Sequence, residues 1–383
     1  MIKKGICLAL FILICFSFTS CWDYRSITVL DIVSGLAIDK DEETGLYRVT
    51  LEIATASTEG KGAAESVYVD AEGTTIFNAI YNTKKKLANK FFLGNMQVVI
   101  ISKYLAENEG ITPLINALLR DKEPRETLNV VVSQEKTAKD LLCVEGIDLN
   151  VVSQEILKII EDDIKTTFST QNTKLYQIYN AVKGQGYSLV LPAFKAAPAV
   201  KSKEDEEEKN VESNGVALFK KDHLVGFLTA DQTKTMLIIT DQLKGGTFNF
   251  GMREDKEDDV SMEFKNVSSV SNFKYQNGEM EITLSVKADV NLSELKMEED
   301  SLAENPGHLL EKKAAETLKN EIEALVEIAQ SEMKIDIFSF GNKFYKNYPD
   351  EWKKIKDDWH EVFCKAKIEV KTSFTLLNAG IIE

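Results

Sequence analysis

The chain has 383 residues, of which 28% are charged and 44% are hydrophobic, a balance typical of a folded protein rather than a disordered one. Its formal net charge of −15 at pH 7 argues against a nucleic-acid partner and against electrostatic adhesion to anionic lipid. Without residues 1–20 the chain is still long enough for two or three domains.

The N-terminus predicts a secretory signal that ends at a cysteine. Lys3 and Lys4 form a short positive region, residues 6–18 are apolar or small, and small residues come directly before Cys21. The apolar run is shorter than the roughly 20 residues that a helix needs to span a bilayer. We therefore interpret it as the hydrophobic part of a signal peptide covering residues 1–20.

The residues before Cys21 predict a lipoprotein signal. Ordinary signal peptidase needs a small residue three positions before the cut, where this chain has Phe18. Residues 18–21, Phe-Thr-Ser-Cys, instead resemble the bacterial lipobox, in which the cysteine becomes a diacylglycerol-bearing N-terminus, although Leu is usual where Phe18 stands. We expect acyl chains on Cys21 to anchor the protein in the lipid bilayer, outside the cytoplasm, since each buried methylene contributes about 0.8 kcal/mol. The alternatives are an uncleaved anchor and a secreted protein with an incidental cysteine.

Residues 21–135 are predicted to form an N-terminal mixed α/β domain, because strand-like and helix-like patterns alternate there. Residues 27–38 and 47–54 have strand patterns, and the polar turn at 39–45 joins them into a hairpin. The later elements are a strand at 66–69, a helix capped by Thr74, a strand at 96–102, a helix opened by Pro113 and a strand at 128–133.

Residues 136–247 are predicted to form a middle domain that begins with helices. Residues 201–210 carry eight charged residues in ten, which is typical of a solvated loop. The predicted elements are helices at 138–142, 154–164 and 174–182, a strand from 189, a hairpin over 216–228 and a helix at 232–240.

Residues 248–383 are predicted to form a C-terminal α+β domain, an antiparallel sheet covered by a long amphipathic helix. The helix runs from Pro306 to about Met333, with apolar residues recurring every three or four positions. The predicted strands lie at 247–250, 260–264, 267–275, 280–290 and 366–376. The chain is therefore assigned to the α+β class, with three mixed α/β domains.

Aromatic residues cluster in the last part of the chain. Rings at helical spacing more often belong to a core or to a seam between helix and sheet than to a binding site, so we interpret them as core, with a protein interface as the alternative. The cluster comprises Phe338, Phe340, Phe344, Tyr345, Tyr348, Trp352 and Trp359.

The sequence shows no phosphate-binding loop, zinc-protease motif or nucleophile elbow, and it has only three histidines. His360 and Cys364 are four residues apart, but two ligands do not make a metal site. The acidic pairs at 162–163 and 357–358 are interpreted as solvated helix faces. No catalytic, cofactor-binding or metal-binding residue is assigned. Cys143 and Cys364 could pair in an oxidising compartment, but they are far apart in sequence and both have apolar sequence neighbours, so they are expected to be buried free thiols.

Four short motifs occur in order along the chain. They are Cys21-Trp22-Asp23-Tyr24-Arg25, Phe92-Leu93-Gly94-Asn95-Met96, Gly215-Val216-Ala217-Leu218-Phe219 with His223-Leu224-Val225-Gly226, and the run from Asp336-Ile337-Phe338 to Trp352. As an ordered set they resemble the Ger(x)C family, the C-subunit lipoproteins of bacterial spore germinant receptors. Ser339 is a departure, because the family would have Gly there.

This resemblance implies a lipoprotein on the outer leaflet of the spore inner membrane, anchored by Cys21. It implies partners, a polytopic A subunit and a transporter-like B subunit, with which the chain takes part in sensing nutrient germinants. It implies no enzyme activity and no cofactor. Two other hypotheses stay open at this point: a solute-binding lipoprotein that captures the nutrient itself, and a cell-envelope hydrolase with two carboxylates in a deep cleft.

Overall fold

The computed structural model describes residues 30–56, 64–144, 149–198, 209–252, 259–296 and 306–378. Within these ranges the chain forms two β-sheets, one of nine strands and one of four. The predicted signal peptide, Cys21 and most of the charged loop at 201–210 lie outside the described residues. Among the described residues, no helix has both the length and the apolar character needed to cross a bilayer.

The first sheet is built around a hairpin and a set of parallel strands. Its strands are β1 (Leu30–Lys40), β2 (Tyr47–Ala56), β3 (Ala64–Gly73), β4 (Lys90–Phe92), β5 (Val98–Ser102), β6 (Asn129–Ser133), β7 (Leu189–Pro198), β8 (Lys209–Lys220) and β9 (His223–Leu228). The order across the sheet is β3-β2-β1-β5-β6-β7-β8-β9, with β4 beside the start of β1. The predicted β1–β2 and β8–β9 hairpins are confirmed.

Helices cover both faces of this sheet. They are α1 (Ile76–Asn82), α2 (Lys103–Asn108), α3 (Thr112–Arg120), α4 (Ala138–Leu142), α5 (Val152–Asp163) and α6 (Leu175–Lys183). One core contains residues of α1, α2, α3 and α6, and a separate core on the other face contains residues of α4 and α5. The central strands are therefore buried on both sides, which explains why the first four residues of β5, at 98–101, are all apolar.

The start of α1 differs from the sequence prediction by one residue. Thr75 rather than Thr74 is the N-cap, because the Thr75 hydroxyl accepts the backbone N–H of Asn78 at 3.1 Å. Thr74 instead donates its own backbone N–H to the Asn78 side chain at 3.3 Å. Two adjacent threonines give the sequence no basis for choosing between them.

The first sheet extends across the domain boundary predicted at residues 135 and 136. β6 pairs in parallel with β7, so strands from both sides of that position belong to one sheet. The division into three domains stays a prediction.

The second sheet has the order β10-β11-β12-β13. Its strands are β10 (Thr247–Phe250), β11 (Val260–Gln276), β12 (Glu279–Leu295) and β13 (Lys367–Asn378). The segments predicted as separate strands at 260–264 and 267–275 are one strand with a bulge between Phe264 and Asn266. β13 runs parallel to β12, because the helices between them return the chain to the same end of the sheet.

The helices of this half are α7 (Ala230–Ile239), α8 (Pro306–Glu327), α9 (Phe340–Asn347), α10 (Pro349–Ile355) and α11 (Trp359–Lys365), with a π-turn (Ile328–Met333) directly after α8. The apolar stripe of α8 packs on the sheet, and its buried residues include Leu310, Leu318 and Leu325. The predicted sheet with a covering amphipathic helix is confirmed, as is the mixed α/β character of the chain. The sheet is antiparallel over β10, β11 and β12, but the prediction of an antiparallel sheet is wrong for β13, which pairs in parallel with β12. Cys143 and Cys364 are both unpaired, but the expectation that they are buried is wrong. Cys143 is exposed, because it follows the last residue of α4, and Cys364 is half-buried.

Candidate functional site

The two sheets meet at a seam with a shared apolar core. Val190 of β7 and Val216 and Leu218 of β8 belong to the same cluster of buried residues as the second sheet and its helices. The loop between α6 and β7, residues 184–188, packs against the segment 336–359, which contains the last family-like motif. We therefore take this seam as the candidate functional site.

A buried carboxylate organises the motif side of the seam. Asp336 is 1% exposed and accepts the backbone N–H groups of Phe338 at 3.0 Å, Phe340 at 3.2 Å and Gly341 at 2.7 Å. The indole Nε1–H of Trp359 donates to the same carboxylate at 3.1 Å. Burial raises the pKa of Asp336, while these four donors oppose that rise. The carboxylate thus fixes the turn that leads into α9.

Aromatic rings pack around this carboxylate. The rings of Phe344 and Trp359 stack with centroids 6.1 Å apart, and those of Trp352 and Trp359 lie 5.4 Å apart. The interpretation of the cluster as core is confirmed for its buried members, Phe338, Phe340, Phe344, Trp352 and Trp359. Tyr345 and Tyr348 are different, because they are 40% and 39% exposed.

The loop of the first half docks onto this aromatic core through Gln185 and Gly186. The Trp352 indole Nε1–H donates to Gln185 Oε1 at 2.7 Å, and the Asn342 amide donates to the Gln185 carbonyl oxygen at 3.4 Å. Gly186 has φ +69°, and a Cβ there would lie 2.4 Å from the carbonyl carbon of Gly341. A side chain at this position would therefore push the two halves apart.

Two further buried carboxylates fasten helices to the first sheet. Glu52 of β2 accepts the first N–H groups of α5, from Val152 at 2.8 Å and Ser153 at 3.1 Å. Asp39 of β1 accepts the first N–H groups of α4, from Ala138 at 2.7 Å and from Lys139 at 3.2 Å. Burial raises the pKa of Asp39. Both carboxylates satisfy helix N-termini, which is a structural role.

The interpretation of residues 162–163 as a solvated face is wrong for Asp163. Its side chain is 3% exposed and accepts the backbone N–H groups of Ser169 at 3.0 Å and Thr170 at 2.9 Å. It also accepts the Ser169 hydroxyl at 2.5 Å. Asp163 thereby closes a loop in which Phe168 has a positive φ of 54°. Asp162, Asp357 and Asp358 are exposed, as expected.

His360 and Cys364 both lie on α11. Burial lowers the pKa of His360, and the nearby charges of Lys220 and Lys221 lower it further. Within the described ranges, no group of three or more His, Cys, Asp or Glu residues is arranged to hold a metal ion.

The family-like motifs contain glycines with clear steric reasons. A Cβ at Gly215, which has φ +78°, would lie 1.8 Å from the Leu228 carbonyl oxygen, and a Cβ at Gly226 would lie 2.8 Å from the end of the Met333 side chain. Ser339, the departure from the family, has φ +56° and so stands in the left-handed region that favours Gly.

These features define a two-sheet α+β protein whose buried carboxylates hold backbone amides in place. Two family models match it: "Spore germination protein N-terminal domain" over residues 23–196 and "Spore germination B3/ GerAC like, C-terminal" over residues 214–380. The two matches follow each other along the chain and leave out only residues 197–213 between them and short segments at the two chain ends. The chain therefore belongs to this family of GerAC-like spore germination proteins.

Individual relatives are similar over almost their whole length. "Spore germination protein B3" of Bacillus subtilis (strain 168) is 24% identical over 375 residues, which cover 94% of each chain. "Spore germination protein KC" of the same organism is 24% identical over 406 residues, covering 100% of this chain and 97% of that protein. The crystal structure of the GerBC protein aligns with a TM-score of 0.58 at 18% identity, covering 90% of this chain and 97% of that one, so the two share a fold.

Proposed function

We propose that this protein is a membrane-anchored lipoprotein subunit of a nutrient germinant receptor, which takes part in triggering spore germination without catalysing a reaction. The observation that carries the proposal is the match of both family models in order along the chain. The buried carboxylates support a non-catalytic role. Asp39, Glu52 and Asp336 each accept hydrogen bonds from backbone N–H groups and are therefore not free for acid or base chemistry.

The proposed anchor is Cys21, in the outer leaflet of the spore inner membrane. Leu30, where β1 begins, is nine positions after Cys21, so the tether can reach at most about 30 Å. Leu30 is paired with Lys90 of β4. The next β4 residue, Phe91, packs against Tyr81, with the two ring centroids 5.5 Å apart. This end of the first sheet is therefore the end that faces the membrane in our proposal.

The membrane-facing end carries a surface suited to the bilayer interface. The exposed rings of Phe77 and Tyr81 lie 4.3 Å apart, and residues 84–86 are three exposed lysines. Aromatic rings and lysines together favour the headgroup region of a membrane, where rings are half buried and cations meet phosphates. We expect the surface away from this end to be available to the A and B subunits, which are the proposed partners.

The test is a Cys21→Ala substitution in spores, with Cys143→Ala as the matched control because Cys143 is an exposed, unpaired thiol. We expect Cys21→Ala to release the protein from the membrane fraction and to slow germination through this receptor. The control should leave both unchanged. Full membrane retention together with a normal germination response in Cys21→Ala spores would overturn the proposal.

A further inference from the structure

A cleft of about 320 Å³ lies beside the seam and draws its walls from both halves of the molecule. Helix α6 and the start of β7 form one wall, and the C-terminal end of α7 with the loop before α9 forms the other. Leu189, Val190, Met236 and Ile337 are buried below it and give it an apolar floor. This volume is at the lower end of the range of small-molecule sites, about 300–1,000 Å³.

The lining of this cleft is polar but uncharged. None of the described residues that line it is Asp, Glu, Lys, Arg or His, although 28% of the chain is charged. A neighbouring cleft between α7 and α8 shows the contrast, because Asp231, Lys234 and Glu321 line it. An ion that entered this cleft would lose part of its hydration shell, and the uncharged lining has no opposite charge to compensate that loss.

Several polar side chains in the cleft have unused hydrogen-bonding capacity. Among the described residues, the side chains of Gln171, Asn180, Ser188, Gln242 and Ser339 make no hydrogen bond to another protein group, and all five are exposed or half-buried, so a molecule in the cleft can reach them. Amides offer both donors and acceptors, and hydroxyls do the same. Tyr187 adds a 43% exposed aromatic ring at the edge.

Ser339 adds an observation about the backbone. It lines the cleft in the left-handed conformation, with φ +56°, which costs a non-glycine residue roughly 1–2 kcal/mol in general. The turn that holds it there is fixed by Asp336, the organising carboxylate of the seam. This wall of the cleft is therefore fixed by the hydrogen bonds that Asp336 accepts from the turn.

We propose that this cleft binds a neutral, polyhydroxylated small molecule of monosaccharide size. Ring hydroxyls of such a molecule match the free amides and hydroxyls, and its C–H faces match the apolar floor and the Tyr187 ring. The inference goes beyond the proposed function, which assigns no ligand to this chain.

The test is isothermal titration of the full chain, purified in detergent, with glucose and myo-inositol. Glucuronate and glucosamine are the matched probes, because they keep the sugar ring and add one negative or one positive charge. We expect saturable binding of at least one neutral probe, and binding at least about tenfold weaker for both charged probes, since the cleft cannot compensate their lost hydration.

Two substitutions locate the site without removing bulk. Asn180→Asp and Gln171→Glu each place a negative charge in the cleft at nearly constant shape. We expect each to weaken binding of the neutral probe at least about tenfold, because the carboxylate cannot supply the two N–H donors of the amide that it replaces. Asn347→Asp is the control, because Asn347 is exposed at the end of α9 and does not line the cleft. This variant should bind the neutral probe with the affinity of the wild-type chain.

Three results would overturn the inference: no saturable binding of either neutral probe, equal or tighter binding of glucuronate or glucosamine, or unchanged affinity in both cleft variants. The outcome is independent of the anchor. If a neutral probe binds but Cys21→Ala spores germinate normally, the inference about the cleft stands and the proposed function is overturned. If Cys21→Ala spores germinate poorly but no neutral probe binds, the proposed function stands and the inference about the cleft is overturned.

Discussion

The two sheets of this protein are buried in different ways. In the first sheet Val98, Val99, Ile100 and Ile101 of β5 are all fully buried, because helices cover both faces. In the second sheet the strands alternate, and Val270 of β11 is 56% exposed on the open face. The first sheet is therefore stabilised by apolar packing of helices on both of its faces. The second half has packing on one side only and depends more on the Asp336 turn.

The largest expected effect is at that turn. Asp336→Ala leaves three backbone N–H groups and the Trp359 indole N–H buried without an acceptor, each costing about 1–3 kcal/mol, so unfolding free energy should fall by at least about 3 kcal/mol. Urea denaturation of the purified chain measures it. Asp357→Ala, at an exposed position nearby, is the control and should change stability by less than about 0.5 kcal/mol. Equal stability of the two variants would remove the role given to Asp336.

A pair of alanine substitutions sharpens the contrast between the sheets. Ile100→Ala removes a side chain that is packed in the first sheet and should cost about 2–5 kcal/mol. Val270→Ala changes an outward-facing residue of the second sheet and should cost less than about 0.5 kcal/mol. Thermal and urea unfolding of both variants would check the difference. Similar losses at the two positions would mean that the open face of the second sheet is covered in the protein as it works.

The hydrogen bond across the seam should have a smaller effect. Gln185→Ala leaves the Trp352 indole N–H without its acceptor and should cost about 1–2 kcal/mol. Trp352→Phe removes the donor instead, and the double variant completes a cycle. We expect the two substitutions to be coupled by about 0.5–3 kcal/mol, since the residues are in contact. Strictly additive effects would show that the loop does not fasten the two halves.

The smallest expected effect is at Ser339. Ser339→Gly relieves the left-handed conformation but makes the unfolded chain more flexible, so the net gain in stability should be at most about 1 kcal/mol. Lys346→Gly, at an exposed position inside α9, is the control and should destabilise by about 1 kcal/mol. A loss of stability in Ser339→Gly would mean that the hydroxyl makes a contact that compensates the strain.

The sequence predicted the features that depend on local pattern. The alternating residues of β2, the apolar stripe of α8 and the hairpin between β8 and β9 are all visible as periodicities. The bulge between Phe264 and Asn266, across which β11 continues as one strand, is not visible in the sequence, because Lys265 and Asn266 look like a polar turn. The family resemblance supplied one structural expectation that periodicity could not, since Gly expected at position 339 is explained by its positive φ.

The contacts that make the seam could not be predicted from the sequence. Gln185 and Trp352 are 167 positions apart, and nothing in either local sequence indicates the other. The prediction of a solvated Asp163 is wrong for a related reason: its acceptor role depends on a loop that folds back after α5, whereas its neighbour Asp162 is solvated. Long-range polar contacts of this kind need three-dimensional placement.

Membrane anchorage through Cys21 is tested most directly by the mass of the N-terminal peptide of the chain isolated from spore membranes. We expect a peptide that begins at Cys21 and carries the added mass of diacylglycerol, with or without a further acyl chain. A peptide that retains residues 1–20, or one that begins at Cys21 without lipid, would contradict the proposed anchor.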